Sequence, residues 1–576
     1  MSIFDIFRRR KTIVAPWEKY YTDDEINYRI PNISLYTQVV NSYKKHPLNI
    51  AYQYFDKKVT YKKFVKQIDR CSNAFKARGV KKGDIITICL PNVPEALICF
   101  YALNKIGAIA NMLHPLSAEE EIKNSLVSTN SKFLVIIDMN YEKIKKCVKS
   151  TNIKGVIFIS AKDSMPFLLK VGYTFTEERK YKRYRRTHYF MSYKRFLKYG
   201  LFKKSVMLSP YGRNTPCVIL HSGGTSGKPK NVVLQNRAFI LGAKQEQMVL
   251  KRLEAGDSCL GIMPNFHGFG LSVLMHTPLT LGCYTILIPR FDSKKFDTLF
   301  KKYRPTCVLG VPTLYEALIS SKNEEDLDLS FLKYVVSGGD FLSKKLETDI
   351  NNFLEEHNSS ARITQGYGLS EALAAVTLAF DDVNKSGSIG IPLPGNHVKI
   401  IDPSSRKALP FNEVGEICIH SKALMMGYLN DESETNQALQ VHDDGHVWLH
   451  TGDLGYMDQD GFVFYKSREK RMIITSGYNV YPSHIEEVIE AHPAVLQCTV
   501  VGVPHPYKHE VPKAFIVLKE GYHGLFIKAE IRDYCKKNLA HYMVPKEFVY
   551  RKKLPKTKLG KVDFKLLQSD EGLDDE

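Results

Sequence analysis

The sequence predicts an α/β fold in which mainly parallel sheets are flanked by helices. Short apolar runs alternate along the chain with stretches of helical periodicity, which is the pattern of β-α-β units. A length of 576 residues exceeds what one hydrophobic core organises, so two or more domains are expected. The composition, 44% hydrophobic and 25% charged, excludes wholly disordered, collagen-like and disulfide-scaffold chains.

The predicted elements begin near Lys58 and follow the order strand, helix, strand. Apolar residues recur at helical spacing from Tyr61 to Phe75, and 85–90 is an uninterrupted apolar run typical of a buried strand. Pro94 opens a second helix, which is expected to run to about Lys105. Further strands are predicted at 133–137, 155–159, 217–220, 285–288 and 334–336.

The stretch from Ser258 to Pro289 carries no Asp, Glu, Lys or Arg and is long enough to span a bilayer. It is interrupted by Asn265, His267 and His276, and by several prolines and glycines. These residues favour buried strands and an active-site loop over a transmembrane helix.

The eleven cysteines are odd in number and form no C-x-x-C pair. That distribution fits reduced, buried thiols better than a disulfide or zinc framework. At the N-terminus the basic residues follow a very short apolar stretch, the reverse of a secretory signal. A cytoplasmic location is therefore expected.

The net charge of +20 indicates an anionic partner. Half of this excess lies in 165–204, an aromatic-rich segment that holds twelve Lys or Arg and two Glu. It is interpreted as an insertion on the α/β scaffold. It is either a solvated surface segment or a face for an anionic membrane, the inner face of the cell membrane being the expected one. Nucleic acid is the weakest interpretation, because no recognised nucleic-acid module accompanies the segment.

A glycine- and hydroxyl-rich loop, 222–230, follows the predicted strand 217–220. Its backbone amides can converge on an anion, and its lysines add positive charge. The loop fails the Walker A pattern, because Ser222 stands at the first glycine position and Pro229 follows the lysine. A phosphate site other than that of a P-loop NTPase is predicted.

The loop Ser-Gly-Gly-Thr-Ser-Gly-Lys-Pro-Lys resembles the signature of adenylate-forming enzymes, which include acyl-CoA synthetases, luciferases and peptide-synthetase adenylation domains. Other motifs of that family follow in order, and the resemblance runs from about Leu35 to Leu566. These motifs are NFHGFG at 265–270, SGGD at 337–340, QGYGLSE at 365–371, TGD at 451–453, REK at 468–470, SGYNVYP at 476–482 and PKTKLGK at 555–561.

The resemblance implies roles for individual residues. Lys561 matches the catalytic lysine that bridges the carboxylate and the nucleotide, Glu371 a catalytic acidic Mg²⁺ ligand and Asp453 the acceptor of the ribose hydroxyls. His267 is implied to lie between the acid pocket and the nucleotide, and Thr225 to assist at the metal. The remaining ATP or coenzyme A contacts implied are Ser222, Gly223, Gly224, Ser226, Gly227, Lys228, Lys230, Gly338, Gly339, Asp340, Gln365, Gly366, Tyr367, Gly368, Ser370, Arg468 and Gly477.

The same resemblance implies the domain organisation. An N-terminal extension (1–34) precedes a large domain (35–469), which carries the basic insertion. A small, mobile α+β domain (470–576) is implied to rotate about Lys470, so that it presents Lys561 to ATP or Gly477 to a coenzyme A tunnel.

The resemblance also implies the reaction: ATP and a carboxylic acid give acyl-AMP and pyrophosphate, and coenzyme A then displaces AMP. His267 stands where amino-acid-activating members usually carry Asp, which favours an acid without an amine. We expect a medium- to long-chain fatty acid and a stand-alone ligase, because no carrier domain follows Lys561. An aryl-acid–CoA ligase or acyl-carrier-protein ligase stays open, as does a non-catalytic basic protein that binds membranes or nucleic acid.

Overall fold

The computed structural model describes residues 14–176, 187–201, 212–222, 230–292, 296–320, 327–475, 478–505, 507–557 and 561–569. In these residues helices and strands alternate, which confirms the predicted α/β class. The strands are β1 Ile50–Tyr54, β2 Lys57–Thr60, β3 Ile85–Cys89, β4 Ile109–Met112, β5 Phe133–Ile137, β6 Val156–Ile159, β7 Phe190–Ser192, β8 Pro216–Ser222, β9 Lys230–Gln235, β10 Ser258–Gly261, β11 Tyr284–Leu287, β12 Cys307–Gly310, β13 Tyr334–Gly338, β14 Ile363–Gly368, β15 Ala375–Leu378, β16 Ile391–Pro392, β17 His397–Ile401, β18 Gly415–His420, β19 Gly427–Tyr428, β20 Leu439–Val441, β21 Val447–Met457, β22 Val463–Arg468, β23 Ile473–Thr475, β24 Tyr478–Val480, β25 Val495–His505, β26 His509–Leu518 and β27 Glu547–Tyr550. The helices are α1 Asp23–Ile26, α2 Leu35–Lys45, α3 Tyr61–Ala77, α4 Pro94–Ile106, α5 Glu119–Ser128, α6 Tyr141–Ile144, α7 Phe167–Thr176, α8 Tyr193–Lys198, α9 Asn236–Val249, α10 Thr277–Leu281, α11 Phe296–Tyr303, α12 Pro312–Ile319, α13 Lys344–Glu356, α14 Glu432–Ala438, α15 Pro482–Glu490, α16 Leu525–Asn538 and α17 Phe564–Ser569.

Two large sheets form the scaffold in the described part of the chain. One has the strand order β16-β15-β14-β13-β12-β10-β11-β1-β2, and it is parallel from β14 to β1. The other has the order β19-β9-β8-β4-β3-β5-β6-β7, and it is parallel from β8 to β7. The carboxyl ends of parallel strands share one edge of a sheet, where ligand crevices form in α/β folds.

Helix α4 lies at the centre of this scaffold. It is buried over its whole length and packs against α2 and α3. Asn104 within it accepts from the Tyr36 amide at 3.1 Å and donates to the Asn236 side chain at 2.9 Å. A single buried amide therefore ties α2 and α9 to α4.

Two further sheets are smaller. One is antiparallel, with the order β17-β18-β21-β20 and with β22 paired to β21. The other lies near the C-terminus, with the order β24-β23-β26-β25 and with β27 parallel to β26. Prediction from apolar runs missed the strands of both smaller sheets, and the second sheet lies in the domain that the family resemblance implied to be α+β.

The predicted strands 133–137, 155–159 and 217–220 are confirmed as β5, β6 and β8, with small shifts at their ends. The uncharged stretch 258–289 begins and ends with strands, as expected. Its middle differs from the predicted loop, because Phe269–His276 forms a π-helical turn that continues into α10. Over the described residues, no helix is both long and apolar enough to cross a bilayer.

The described part of the N-terminal extension packs onto the antiparallel sheet. The ring of Trp17 is 1% exposed and lies 6.2 Å from that of His397 on β17. A Cβ atom on Gly461 would come within 2.8 Å of the Trp17 backbone nitrogen, so only glycine fits there.

All eleven cysteines are buried and exist as free thiols. Burial raises the pKa of the Cys89 and Cys535 thiols to about 12. These thiols are therefore protonated and inert at neutral pH.

Candidate active site

Several predicted residues meet at the carboxyl ends of parallel strands from both large sheets. Ser222 ends β8, Gly338 ends β13 and Gly368 ends β14. A 3₁₀ turn, Ser370–Ala372, follows β14 and carries Glu371. Because both sheets direct their carboxyl ends to this region, the crevice between them is the candidate active site.

Glu371 is held by two hydroxyl groups. Its Oε1 accepts hydrogen bonds of 3.0 Å from Ser222 Oγ and 3.0 Å from the Tyr428 hydroxyl. Its backbone carbonyl accepts from the Met425 amide at 2.7 Å. The carboxylate is thus fixed beside the first residue of the predicted phosphate loop, among oxygen atoms of the kind that hard divalent cations prefer.

Six predicted loop residues lie outside the described residues: Gly223, Gly224, Thr225, Ser226, Gly227 and Lys228. Lys230 is described, at the start of β9. Its ammonium group pairs with Glu434 at 2.5 Å and lies 4.7 Å from the Tyr428 ring centroid. In this structure Glu434 neutralises the charge of Lys230. The predicted contact of Lys230 with phosphate stays a prediction.

Tyr367, Asp453 and Arg468 form one hydrogen-bonded group. The Tyr367 hydroxyl donates to Asp453 Oδ2 at 2.7 Å, and Arg468 Nε lies 3.3 Å from Oδ1. Asp453 and Arg468 face each other directly across β21 and β22. Burial raises the pKa of Asp453, and Arg468, Tyr367 and Lys561 oppose that rise.

The glycines of this region allow close backbone approach. A Cβ atom on Gly368 would lie 1.3 Å from the Ala374 carbonyl oxygen, so no side chain fits at that position. Gly339 has φ +79°, which favours glycine, and it leads to the exposed Asp340. Gln365 is buried and donates to the Leu342 carbonyl at 3.2 Å. Gly366 follows it, with its Cβ position 3.1 Å from Leu378.

His267 is half-buried, and its loop is locked to the turn that carries Glu371. A Cβ atom on Gly268 would lie 1.7 Å from the carbonyl oxygen of Leu373, which itself has φ +74°. A positive φ at leucine is strained and requires support from neighbouring residues. Burial lowers the pKa of His267 to about 4, helped by the charge of Lys561. Its imidazole is therefore neutral at pH 7.

Lys561 belongs to the same cluster, although it is far from the other members in sequence. It is half-buried and its carbonyl accepts from the Thr557 amide at 2.7 Å. Burial lowers its pKa, and the carboxylates of Asp340 and Asp453 counteract this effect. The charge of Lys561 therefore interacts with those of Asp340 and Asp453, and it also acts on His267.

Lys470 lies exposed on the 3₁₀ turn Glu469–Arg471, between β22 and β23. Two contacts join the chain before this turn to the C-terminal segment after it. Lys345 on α13 donates to the Glu490 carbonyl at 2.5 Å, and the Ser483 hydroxyl donates to the Lys466 carbonyl. Gly477 lies outside the described residues.

Prediction from sequence missed a histidine that directly precedes the loop. His221 donates from Nε2 to the Asn111 side-chain oxygen at 2.8 Å, and burial lowers its pKa to about 4. His114 lies nearby, with its ring 4.5 Å from that of Phe266. The position of His221 directly before Ser222 could have indicated a site residue. No feature of the sequence indicated that Asn111 would be its partner.

One cluster outside this crevice has the composition of a metal site. Ligand atoms of Glu416, Cys418 and His450 lie within 4.8 Å of one another. Arg406 Nη1 lies 3.0 Å from Glu416 and 2.9 Å from His450, so a guanidinium group already neutralises the carboxylate. The cluster is explained as an ion pair between the buried Glu416 and the exposed Arg406.

Family models match most of the chain. Residues 39–429 match the model described as AMP-binding enzyme, and residues 484–561 match the AMP-binding enzyme C-terminal domain. The first match alone covers more than half of the 576 residues. The first match contains Ser222, Tyr367 and Glu371 and the second contains Lys561, whereas Asp453 and Arg468 lie between the two matches.

Curated relatives match over nearly the full length. A long-chain-fatty-acid–CoA ligase of Bacillus subtilis (strain 168) is 31% identical over 554 residues, which is 95% of this chain and 96% of the relative. A 4-coumarate:CoA ligase 1 of Petunia hybrida is 28% identical over 548 residues, 93% of this chain and 92% of the relative.

Solved structures share the fold. The anthranilate CoA ligase AuaEII in complex with anthranoyl-AMP gives a TM-score of 0.82 at 22% identity, and covers 93% of this chain and 97% of that one. ATP-bound MatB from Rhodopseudomonas palustris gives 0.80 at 22% identity, and covers 94% and 99%. These likenesses confirm the large α/β region and the small C-terminal domain as a fold.

Proposed function

The chain belongs to the AMP-binding enzyme family as one of its acyl-CoA ligases, and from this premise we propose that it activates a medium- to long-chain fatty acid. ATP and the acid give acyl-AMP and pyrophosphate, and coenzyme A then takes the acyl group and releases AMP. The observation that supports the proposal most is the contact of Asp453 with Tyr367 and Arg468, at 2.7 and 3.3 Å, in the crevice that also holds Glu371 and Ser222.

The first step brings two anions together, because the carboxylate oxygen must attack the α-phosphorus of ATP. Lys561 is the cation that we assign to this encounter. Its ammonium group is half-buried, where a charge acts more strongly than in bulk water. It neutralises the approaching carboxylate and the phosphate together, and thereby lowers the repulsion between them.

Asp453 is assigned to the ribose. Two carboxylate oxygens suit two adjacent hydroxyl groups. Tyr367 and Arg468 fix the orientation of this carboxylate, and Arg468 also offers charge to the phosphates. Tyr367 presents its ring to the adenine, with Gly338 and Gly339 beside it.

Glu371 is the proposed anchor for Mg²⁺, with Ser222 next to it and Thr225 as a further oxygen donor. The donor set of carboxylate and hydroxyl oxygens fits this ion. When bound, Mg²⁺ supplies charge stabilisation on the phosphates of ATP. Ser222 and Tyr428 hold Glu371 in place for this purpose through their hydrogen bonds to its carboxylate.

The second step requires coenzyme A to reach the acyl-AMP once the first step, to which Lys561 is assigned, is complete. We propose that the domain 470–576 rotates about Lys470 for this purpose, and that Gly477 then borders the thiol path. The turn Glu469–Arg471 supports this hinge, because Lys470 is exposed and Arg471 pairs with Glu486 inside the segment that would rotate. The Lys345 to Glu490 contact belongs to the orientation in which Lys561 faces the nucleotide site.

The neutral side chain of His267 supports an acid without an amine, such as a fatty acid, as substrate. His267 is neutral at pH 7 because burial lowers its pKa to about 4, so it provides no partner for an α-amine. The alignment of this chain with the long-chain-fatty-acid–CoA ligase of Bacillus subtilis covers 96% of that relative. The coumarate ligase relative keeps an aryl acid as the second candidate.

A panel of acids tests the proposal. Pyrophosphate release should be measured with ATP, Mg²⁺ and octanoate, palmitate, 4-coumarate, benzoate or an amino acid, followed by thioester formation with coenzyme A or an acyl carrier protein. Highest kcat/KM for palmitate with coenzyme A is expected. A preference for 4-coumarate would replace the fatty acid by an aryl acid, and the absence of pyrophosphate release with every acid would overturn the enzyme assignment.

A further inference from the structure

Helix α7, Phe167–Thr176, presents large apolar side chains to solvent. The exposed fractions are 77% for Phe167, 81% for Leu168 and 40% for Val171. No residue of this helix is buried. Exposing contiguous apolar groups of this size costs free energy in water, so such patches mark interaction surfaces.

Four exposed apolar residues, Phe167, Leu168, Val171 and Phe175, lie on one side of α7, whereas Leu169, which is 43% exposed, lies outside that side. At 3.6 residues per turn, Phe167, Val171 and Leu168 fall within an arc of about 100°. The half-buried residues Lys170 and Tyr173 lie on the opposite side, toward the body of the protein. The helix therefore has an inner face that packs and an outer apolar face.

The base of this helix is firmly attached to the scaffold. Ser164 is 8% exposed and donates from Oγ to Glu95 at 2.5 Å, while Lys57 donates to the Ser164 carbonyl at 3.3 Å. Lys162 on the same loop donates to the Thr174 hydroxyl at 3.2 Å. The apolar face is thus held outward by buried contacts.

Lysines crowd around the helix. Burial lowers the pKa of Lys57, and the nearby charges of Lys63 and Lys170 lower it further. Lys162, Lys170 and Lys194 all act on Asp163. The sequence adds six Lys or Arg between 179 and 186, directly after the helix. An anionic partner would relieve this repulsion.

We propose that the outer face of α7, formed by Phe167, Leu168 and Val171, inserts into the surface of an anionic lipid bilayer. An apolar face flanked by lysines is the arrangement by which helices lie in the interface of charged membranes. The lysines attract the anionic headgroups and the apolar side chains enter the boundary with the acyl chains. The two contributions are separable by experiment.

Helix α7 lies at the same edge of its sheet as the candidate active site. The helix follows β6, and β6 runs parallel to β8 within the same sheet, so α7 and Ser222 leave the sheet at the same edge. A bilayer bound at α7 would therefore lie on the side of the sheet where the candidate active site opens. Acids that partition into the bilayer would meet the enzyme there.

Vesicle sedimentation tests this surface. The full chain should be incubated with vesicles of phosphatidylcholine alone or mixed equally with phosphatidylglycerol, at low and high salt. Binding to the anionic vesicles that falls with salt is expected. The double variant Phe167→Glu/Leu168→Glu should bind at least about tenfold more weakly, because two apolar side chains no longer enter the bilayer.

A matched control uses another exposed apolar pair. Leu525 and Phe526 on α16 are 84% and 80% exposed, and the double variant Leu525→Glu/Phe526→Glu should bind like the parent. Activity with octanoate in the absence of vesicles should be unchanged in both variants, which shows that they fold. Equal binding of parent and α7 variant, loss confined to the α16 variant, or equal binding to neutral vesicles would each overturn the proposal.

Discussion

The side-chain oxygen of Asn111 accepts a hydrogen bond of 2.8 Å from Nε2 of His221, where β8 approaches the predicted phosphate loop. The amide nitrogen of Asn111 donates to the hydroxyls of Thr87 and Ser125, each at 2.9 Å. Since the amide can use only its oxygen toward His221, the proton of this neutral imidazole is on Nε2 and the lone pair is on Nδ1. A fully buried asparagine thereby sets the tautomer of the residue before Ser222.

Asn111→Ala should disturb the phosphate loop, because His221 loses the acceptor that fixes its ring. We expect the KM for ATP to rise about five- to tenfold and the free energy of unfolding to fall by about 1–3 kcal/mol. Ser125→Ala removes one partner of Asn111 but leaves the bond to His221 intact, so its KM should stay within twofold of the parent's. Steady-state pyrophosphate release and urea unfolding check both values, and equal KM effects in the two variants would contradict the assignment.

Asp453→Ala should abolish discrimination between ATP and 2′-deoxy-ATP. The parent enzyme should prefer ATP by about tenfold or more in kcat/KM, since its buried carboxylate is built to accept a ribose hydroxyl. The variant should use both nucleotides poorly and equally. Tyr367→Phe removes the 2.7 Å hydrogen bond but keeps the carboxylate, so it should raise the KM for ATP while retaining the preference. A variant Asp453→Ala that still prefers ATP would remove this residue from the ribose site.

Lys561→Ala should separate the two half-reactions. Acyl-adenylate formation should fall by about 100-fold or more, because the cation between two anions is lost. Thioester formation from supplied acyl-AMP and coenzyme A should stay within about threefold. Lys565→Ala, which changes an exposed lysine nearby, is the matched control and should leave both steps unchanged. Near-normal pyrophosphate release by Lys561→Ala is the result that would refute the role.

Glu246→Gln should change how stability depends on pH. Burial raises the pKa of Glu246 to about 8, whereas the unfolded chain releases this proton near 4.5. The folded state therefore keeps a proton that the unfolded state loses, and its contribution to stability declines as pH rises from about 4.5 to about 8. The Tm of the variant should exceed that of the parent at pH 8 by more than at pH 5. Glu355→Gln, an exposed control, should show the same difference at both pH values.

The parallel strands could be predicted because their residues are buried on both faces. Phe133–Ile137 is apolar throughout, and the structure places β5 at the same residues. β21 was missed because polar residues such as His450, Thr451 and Asp453 interrupt its apolar pattern. An antiparallel strand that carries polar side chains of this kind has no continuous apolar run.

The site residues could be named from motifs, but their pairing could not. Tyr367 and Asp453 stand 86 residues apart and meet because the carboxyl end of β14 lies beside the middle of β21. Lys345 was beyond prediction for another reason. Its partner is the backbone carbonyl of Glu490, and a carbonyl group has no sequence signature.

The burial of every native cysteine makes this chain a ready host for thiol-specific probes. A cysteine introduced at the exposed Thr348 on α13 and another at the exposed Ala491 after α15 would be the accessible thiols of the described structure. Spin labels or a dye pair at these two positions would report the distance across the Lys345 contact while substrates are added in turn. The reaction cycle could then be followed by spectroscopy without first removing any native thiol.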